Sequence, residues 1–461
     1  MRTSASSLSP GINSVRSRFG AVAFLTLLAA ADPALAEMTS QDAARLGKDL
    51  TPVGAEAAGS KDGSIPPWTG GLSSVPAGQD PAAFYADPFV GEKPLYTITA
   101  ANLAQYKDKL SPGQVALLQR YPTYKMNVYP SHRTAALPPG EYEAIKRECV
   151  EARLADGGNG VQNISATSVP FPIPKSGVEP MWNHVLRYRG GAYMRYGAEF
   201  PVLANGGFTP IRRTEWYARA SVLGNPEPNR IFYYKNIITA PSSIAGEAVL
   251  MHDPLDQVKE TRLAWTYNPG QRRVLRAPSF AYDSPGTGTD GLRTIDDYDG
   301  FNGAPDRFDW KLVGKKEMII PYNNYRLADP NLKYGDIIKA NHIEQDLARY
   351  ELHRVWVVQA TLKPGVRHIY SRRDFYLDED SWTLVLKDQY DGRGELWRIQ
   401  ELFMKPELRQ LTSDYAATVM YDLQARRYIV AEMTNEEKPR KYDMKYELSY
   451  FSPDSLRRIG N

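Results

Sequence analysis

The chain has 461 residues, 24% of them charged, with 56 Lys and Arg against 53 Asp and Glu and a single cysteine. A formal charge of +3 provides no basic field of the kind that nucleic acid or an anionic membrane surface requires. A lone cysteine excludes internal disulfides, so packing must hold the fold.

The first predicted element is a leader. Arg16 and Arg18 precede an apolar run from Phe19 to Ala30, and Ala34-Leu35-Ala36 stands before Glu37, the pattern of a secretory signal peptide cleaved after Ala36. The run is about half of the roughly 20 residues that a membrane helix needs, and no cysteine follows the cleavage site to anchor a lipid. A soluble mature chain starting near Glu37 is therefore expected, outside the cytoplasm. Losing Arg2, Arg16, Arg18 and Asp32 brings its formal charge to +1.

Thr39-x-x-Asp42 then forms a capping box for a helix carrying Ala43, Leu46 and Leu50 on one face and ending before Pro52. Residues 51–98 are too rich in Gly, Pro and Ser to hold regular structure for long. Leu103, Tyr106 and Leu110 repeat at helical spacing. Ser111-Pro112-Gly113-Gln114 supplies the N-cap, first-turn proline and capping-box glutamine of a helix that stops at Pro122. A third helix is expected from Pro139 to Leu154, with Cys149 on its Tyr142, Ile145, Ala152 stripe as a small buried hydrophobe.

Beyond Pro180 the period changes to two. Strands are predicted near 183–189, 212–223, 230–238, 245–252, 260–268, 271–276 and 308–320. From residue 350 to 404 they form an antiparallel meander, followed by strands at 416–422 and 426–433 and a short helix over 452–458. Along the meander Leu352, Trp356, Val358, Ala360 and Leu362 share a face, as do Ile369, Phe375 and Leu377, and then Trp382, Leu384 and Leu386. Ten or more strands must curl or be covered by helices. Twenty-nine tyrosines suit such walls, because each ring has an apolar body and a polar tip. The loop from Asp283 to Asp309 is the wettest stretch.

The chemical motifs are weak. Asp296-Asp297-Tyr298-Asp299-Gly300 resembles a calcium loop, but Phe301 and a missing twelfth-position glutamate argue for a solvated turn, and Asp378-Glu379-Asp380 reads the same way. The histidines at 132, 184, 252, 342, 353 and 368 are never three or four apart, and no phosphate loop, G-x-S-x-G or H-E-x-x-H occurs. Neither metal, cofactor nor catalysis is expected. His184, after Trp182-Asn183, and His353, beside Trp356, are the candidate bases of a competing reading, an enzyme acting on envelope lipids or glycans. Asn268-Pro269-Gly270-Gln271-Arg272-Arg273 is a hairpin turn whose arginines are expected to pair with acids such as Glu260.

Several segments resemble one family: Leu46-Gly47-Lys48-Asp49-Leu50-Thr51-Pro52-Val53-Gly54, Tyr129-Pro130-Ser131-His132-Arg133-Thr134, Phe171-Pro172-Ile173-Pro174, Trp182-Asn183-His184, Tyr267-Asn268-Pro269-Gly270-Gln271, Gly314-Lys315-Lys316-Glu317, Pro321-Tyr322-Asn323 and Arg349-Tyr350-Glu351-Leu352-His353-Arg354. They are similar to the domain of unknown function 1329 family of Gram-negative envelope proteins, grouped with the LolA/LolB lipoprotein carriers. The resemblance implies an α+β fold, a large curled antiparallel sheet forming an incomplete barrel with N-terminal helices and long loops. The sequence pattern divides the chain into a leader (1–36), a helical and loop-rich region expected to pack on the sheet (37–175) and the half-barrel (176–461). The resemblance also implies a periplasmic carrier of lipid or another hydrophobic molecule, serving an inner-membrane transporter of the resistance-nodulation-division type and an outer-membrane partner. Leu352, Trp356, Val358, Phe375 and Trp382 are the expected wall residues; covering about 300 Å² of cargo would supply about 7 kcal/mol before binding costs. A non-catalytic scaffold of a membrane complex is the third reading.

Overall fold

The period-two stretches become a 16-stranded sheet in the computed structural model, which describes residues 38–75, 77, 86–277 and 282–459. The leader expected over residues 1–36 lies outside these. In chain order come β1 (Tyr96–Ile98) and β2 (Met126–Val128), then the separate ribbon of β3 (Arg153–Leu154) and β4 (Val161–Gln162). A first wing contains β5 (Ala192–Val202), β6 (Ile211–Arg219), β7 (Phe232–Ala240), β8 (Ala248–Asp253), β9 (Leu263–Asn268) and β10 (Arg273–Arg276). A second contains β11 (Phe308–Pro321), β12 (Tyr350–Leu362), β13 (Arg372–Asp378), β14 (Leu384–Tyr390), β15 (Leu396–Glu407), β16 (Thr412–Asp422) and β17 (Arg427–Met433), and β18 (Lys441–Tyr442) follows. The α-helices of the described residues are α1 (Ser40–Ala43), α2 (Pro112–Arg120), α3 (Pro139–Glu148), α4 (Val178–Leu186), α5 (Tyr334–Ile337) and α6 (Pro453–Ile459).

In space the order is β1-β2-β12-β13-β14-β15-β16-β17-β5-β6-β7-β8-β9-β10, with β11 on β12 and β18 on β5. The ladders are antiparallel apart from a parallel bridge between Tyr350 and Val128. Among the described residues no ladder joins β10 to β1 or β11, so the sheet stays open. Because β10 and β11 lie toward opposite margins, the chain between them must cross a face of the sheet.

It crosses the inner face. Tyr193, Tyr217, Tyr234 and Met251 of the first wing share one apolar cluster with Phe308, Val358, Phe375, Leu384 and Leu402 of the second, and with Phe301 of the crossing segment. Both wings therefore curl around one interior. The helix α4 (Val178–Leu186) adds Met181, Trp182 and Val185 to this cluster. The outer face is covered elsewhere. Over the second wing, Leu117 and Leu118 of α2 (Pro112–Arg120) pack on Ile399, Phe403, Val419 and Tyr421. Over the first, Phe451 of the 3₁₀ turn Leu448–Phe451 and Leu456 of the C-terminal α6 (Pro453–Ile459) pack on Trp216, Tyr233 and Leu250. Among the described residues, no helix is long and apolar enough to cross a membrane.

Local chemistry explains where elements start and where expectation fails. Ser111 and Gln114 form the complete capping box of α2. Thr39 and Asp42 form theirs, but the helix they start covers only Ser40–Ala43, and Leu46 and Leu50 reach the core through turns. Leu103 starts the first of two 3₁₀ turns and Tyr106 joins them, and the helix beginning at Pro139 ends at Glu148 with Cys149 buried after it. Residues 183–186, expected as the start of a strand, end α4 instead: Val178, Met181, Trp182 and Val185 recur at helical spacing, and all nine residues are buried. A bulge between Tyr376 and Leu377 puts Leu384 opposite Leu377 and Leu386 opposite Tyr376. Leu384 thus joins the inner cluster and Leu386 an outer one, so the two do not share a face.

Candidate functional site

The segment crossing the inner face, residues 282–307, is not the solvated loop its charge suggests. Asp296, Asp297 and Asp299 are buried and each meets a cation from the surrounding wall. Asp296 accepts from Arg373 at 2.7 Å and from His368 at 3.1 Å. Asp297 accepts from the Lys387 ammonium at 2.5 Å, Gln389 at 2.8 Å and the Tyr370 hydroxyl at 2.9 Å. Asp299 is held by Arg187 at 2.5 and 2.9 Å and by Arg189. Burial by itself would raise all three carboxyl pKa values. Arg373 at Asp296, Lys387 at Asp297 and the Arg187–Arg189 pair at Asp299 outweigh it and hold them below the ordinary carboxylate range.

His184 is locked in the same anchor. Its Nε2 donates to the Asp299 carbonyl at 2.8 Å while Nδ1 accepts from the Leu384 amide at 3.2 Å. Burial, with the Arg187 charge, pushes its pKa down to about 3. A neutral ring with both nitrogens engaged by main chain is an orienting strut, not a free base.

Between this segment and β6–β9 lies a cavity of about 100 Å³. Ile238, Val249, Met251 and Ile295 give it an apolar wall; Arg213 and Arg293 mark its polar end. Both arginines pair with Glu199, Arg293 at 2.7 Å, yet the Nε of each has no hydrogen-bond partner. Beyond Tyr298 is a smaller void of about 30 Å³ bordered by Arg187, Arg195 and Tyr415. Tyr298 is the partition between them.

The expected wall residues are distributed differently. Val358 and Phe375 are fully buried together in the inner cluster. Trp356 stacks on Trp382 with centroids 6.1 Å apart, and Trp382 packs with Leu46, Leu50 and Val53, its indole nitrogen donating to the Val53 carbonyl at 2.9 Å. Leu352 joins the cluster under α2. None of the five borders the 100 Å³ cavity. Asp378, Glu379 and Asp380, read as a solvated turn, are buried, and His353 is buried with its Nε2 at 2.9 Å from Glu351. Glu260 pairs with Arg230 at 2.6 Å, leaving Arg272 and Arg273 exposed on the hairpin. Ile295, Tyr298, Arg213 and Arg293 were not expected at a site. The available signal was the alternation of Arg195, Gly197 and Glu199 along β5 and of Arg213 and Glu215 along β6, a polar stripe on one strand face.

Fold and cavity together define an open, curled antiparallel half-barrel whose hollow is occupied by a loop from its own chain. The chain belongs to the family described as protein of unknown function DUF1329, whose model matches residues 97–457. It is 50% identical over 443 residues to an uncharacterised protein of Pseudomonas aeruginosa, covering 95% of this chain and 97% of that one. Similar solved structures include a putative outer membrane lipoprotein-sorting protein domain from Vibrio parahaemolyticus (14% identity, TM-score 0.43, 61% of this chain and 98% of that one). A DUF1329 family protein from Desulfovibrio piger also matches (14%, TM-score 0.41, 58% and 92%), as does a LolA superfamily protein from Nitrosomonas europaea (13%, TM-score 0.36, 58% and 93%).

Proposed function

We propose that this protein is a non-catalytic periplasmic carrier or binding protein for a lipid or other hydrophobic molecule, with residues 282–307 as the plug that cargo displaces. The observation that carries the reading is the cavity beside Ile295 and Tyr298: apolar on one wall, polar at one end and roofed by a loop. A cavity of about 100 Å³ is too small for a lipid, since drug-sized ligands occupy about 300–1,000 Å³. Cargo must therefore take the volume now filled by the plug. Val358 and Phe375, which pack against Phe301 of the plug, become its further wall. Secretion with cleavage after Ala36, and exchange with an inner-membrane transporter of the resistance-nodulation-division type and an outer-membrane protein, belong to the same reading.

Native mass spectrometry of the full chain purified from its own periplasm tests it. A stoichiometric apolar adduct is expected, absent from a folded Ile295→Trp variant in which the indole fills the cavity. A protein isolated empty, or an Ile295→Trp variant carrying the same adduct, overturns the reading.

A further inference from the structure

Away from the plug, the turn joining β13 to β14 folds back over β12 and buries three potential ligands side by side. One atom each from His353, Asp378 and Asp380 lies within 4.8 Å of the others. The surrounding acids are already matched. Asp380 is held bidentately by Arg133 at 2.7 and 2.8 Å, Glu379 by Lys315 at 2.8 Å and Arg354 at 3.2 Å, and Glu351 by Arg349 at 2.5 Å. Asp378 differs. It is fully buried, its Oδ2 accepts from the Ser381 hydroxyl at 2.6 Å, and its Oδ1 has no hydrogen-bond partner. Among the described residues it has no cationic side chain in ion-pair range.

A second atom points into the same place. Tyr322 is fully buried, its ring stacked on His353 with centroids 3.8 Å apart, and its hydroxyl also lacks a partner. Buried polar atoms are rarely left unmatched, and one on Asp378 itself and one on the ring stacked against His353, at a carboxylate short of one cation, mark a place for a positive ion. His353 is prepared for it: Nε2 is engaged by Glu351, leaving Nδ1 for the site, the carboxylate–histidine arrangement that orients metal-bound imidazoles.

We propose that His353, Asp378 and Asp380, with the Tyr322 hydroxyl, bind one divalent first-row metal ion. One imidazole and two carboxylates, without sulfur, suit Zn²⁺ or Mn²⁺, and binding follows the order in which Zn²⁺ exceeds Mn²⁺. The ion supplies the positive charge that Asp378 lacks. Its role is structural, because the N-terminal loop closes over the same cluster: Arg133 donates to the Glu56 carbonyl at 2.8 Å and the Glu56 amide to Glu379 at 3.3 Å. The metal thus ties β12, the β13–β14 turn and residues 51–58 into one piece. This site is independent of the cargo cavity and stands or falls without it.

The test uses the full mature chain, stripped with a chelator, dialysed against Zn²⁺ or Mn²⁺ and analysed for bound metal and for thermal unfolding. One equivalent of Zn²⁺ is expected to remain and to raise the melting temperature, with Mg²⁺ doing neither. Asp378→Asn, which keeps shape and removes the charge, is expected to lose the ion while staying folded. Glu351→Gln, one shell out, should weaken Zn²⁺ about 10- to 100-fold. Wild-type protein that retains no stoichiometric Zn²⁺ or Mn²⁺, or an Asp378→Asn variant that binds as wild type does, overturns the proposal.

Discussion

Over the outer face, Leu117 and Leu118 of α2 and Phe451 and Leu456 of the C-terminal segment meet the strands mainly through apolar side chains. Over the inner face, the crossing segment contributes Phe301 but is fixed by Asp296, Asp297 and Asp299 to Arg373, Lys387 and Arg187. The two covers differ in what removing them costs. Stripping an apolar cover exposes surface at roughly 25 cal/mol per Å² with nothing returned. A buried ion pair roughly breaks even against its own hydration, so a segment held by such pairs can leave with its charges rehydrated. On the carrier reading proposed above, one face is a core and the other a closure.

The largest expected effect breaks one anchor from one side. Lys387→Met leaves Asp297 buried without its ammonium and should destabilise by about 3–5 kcal/mol in urea unfolding, whereas adding Asp297→Asn should recover most of that loss. If the double variant is as unstable as the single, the plug is held by packing and the contrast between faces disappears. Leu117→Ala, fully buried under the outer cover, should cost about 2–5 kcal/mol with no partner mutation able to restore it.

The outer cover also encloses carboxyls without cations, and these give a pH test. Burial pushes Glu401, which accepts from Tyr124 at 2.8 Å and Tyr350 at 3.1 Å, up to about 7, and Asp388 likewise to about 7. With folded pKa above the unfolded value of about 4.3, the folded state binds the extra proton. Its contribution is complete below that pH and is lost as pH rises through 7. Glu401→Gln should therefore raise stability at pH 8 by at most about 4 kcal/mol and flatten the slope between about pH 5 and 7, at about 1.4 kcal/mol per pKa unit. An unchanged slope would show Glu401 ionised in the fold. Smallest of all, Arg272→Ala on the exposed hairpin should shift stability by less than about 0.5 kcal/mol, a control for both faces.

Alternation alone located most strands of both wings, because a half-buried strand must place apolar side chains at every second residue. It failed at β5, where Ala192, Met194, Tyr196, Ala198, Phe200 and Val202 do alternate along the outer face but Arg195, Gly197, Glu199 and Pro201 fill the inner-facing positions with polar and strand-breaking residues. The polar residues there are matched across the ladder, Arg195 by Glu215, and sequence order carries no trace of that match. The same limit governs the site. Three aspartates within four residues read as wet because their cations, Arg187, Arg373 and Lys387, are about 75 to 110 residues away along the chain. Trp182 and His184 carried the opposite error: flanked by aromatic and aliphatic residues they resemble a strand, and only the 3.6 spacing from Val178 to Val185 shows the helix. Leu352, Trp356 and Val358 share a parity along β12, but the strand is long enough to cross from one cluster to another, so Leu352 and Val358 serve different interiors.

The displaceable plug is tested most directly by hydrogen–deuterium exchange of the backbone amides of residues 295–302, with and without a single-chain phospholipid. Exchange there should exceed that of α2 at all times and accelerate further with lipid, while β6–β9 gain protection. Amides as protected as those of α2, and indifferent to lipid, would contradict a closure that opens for cargo.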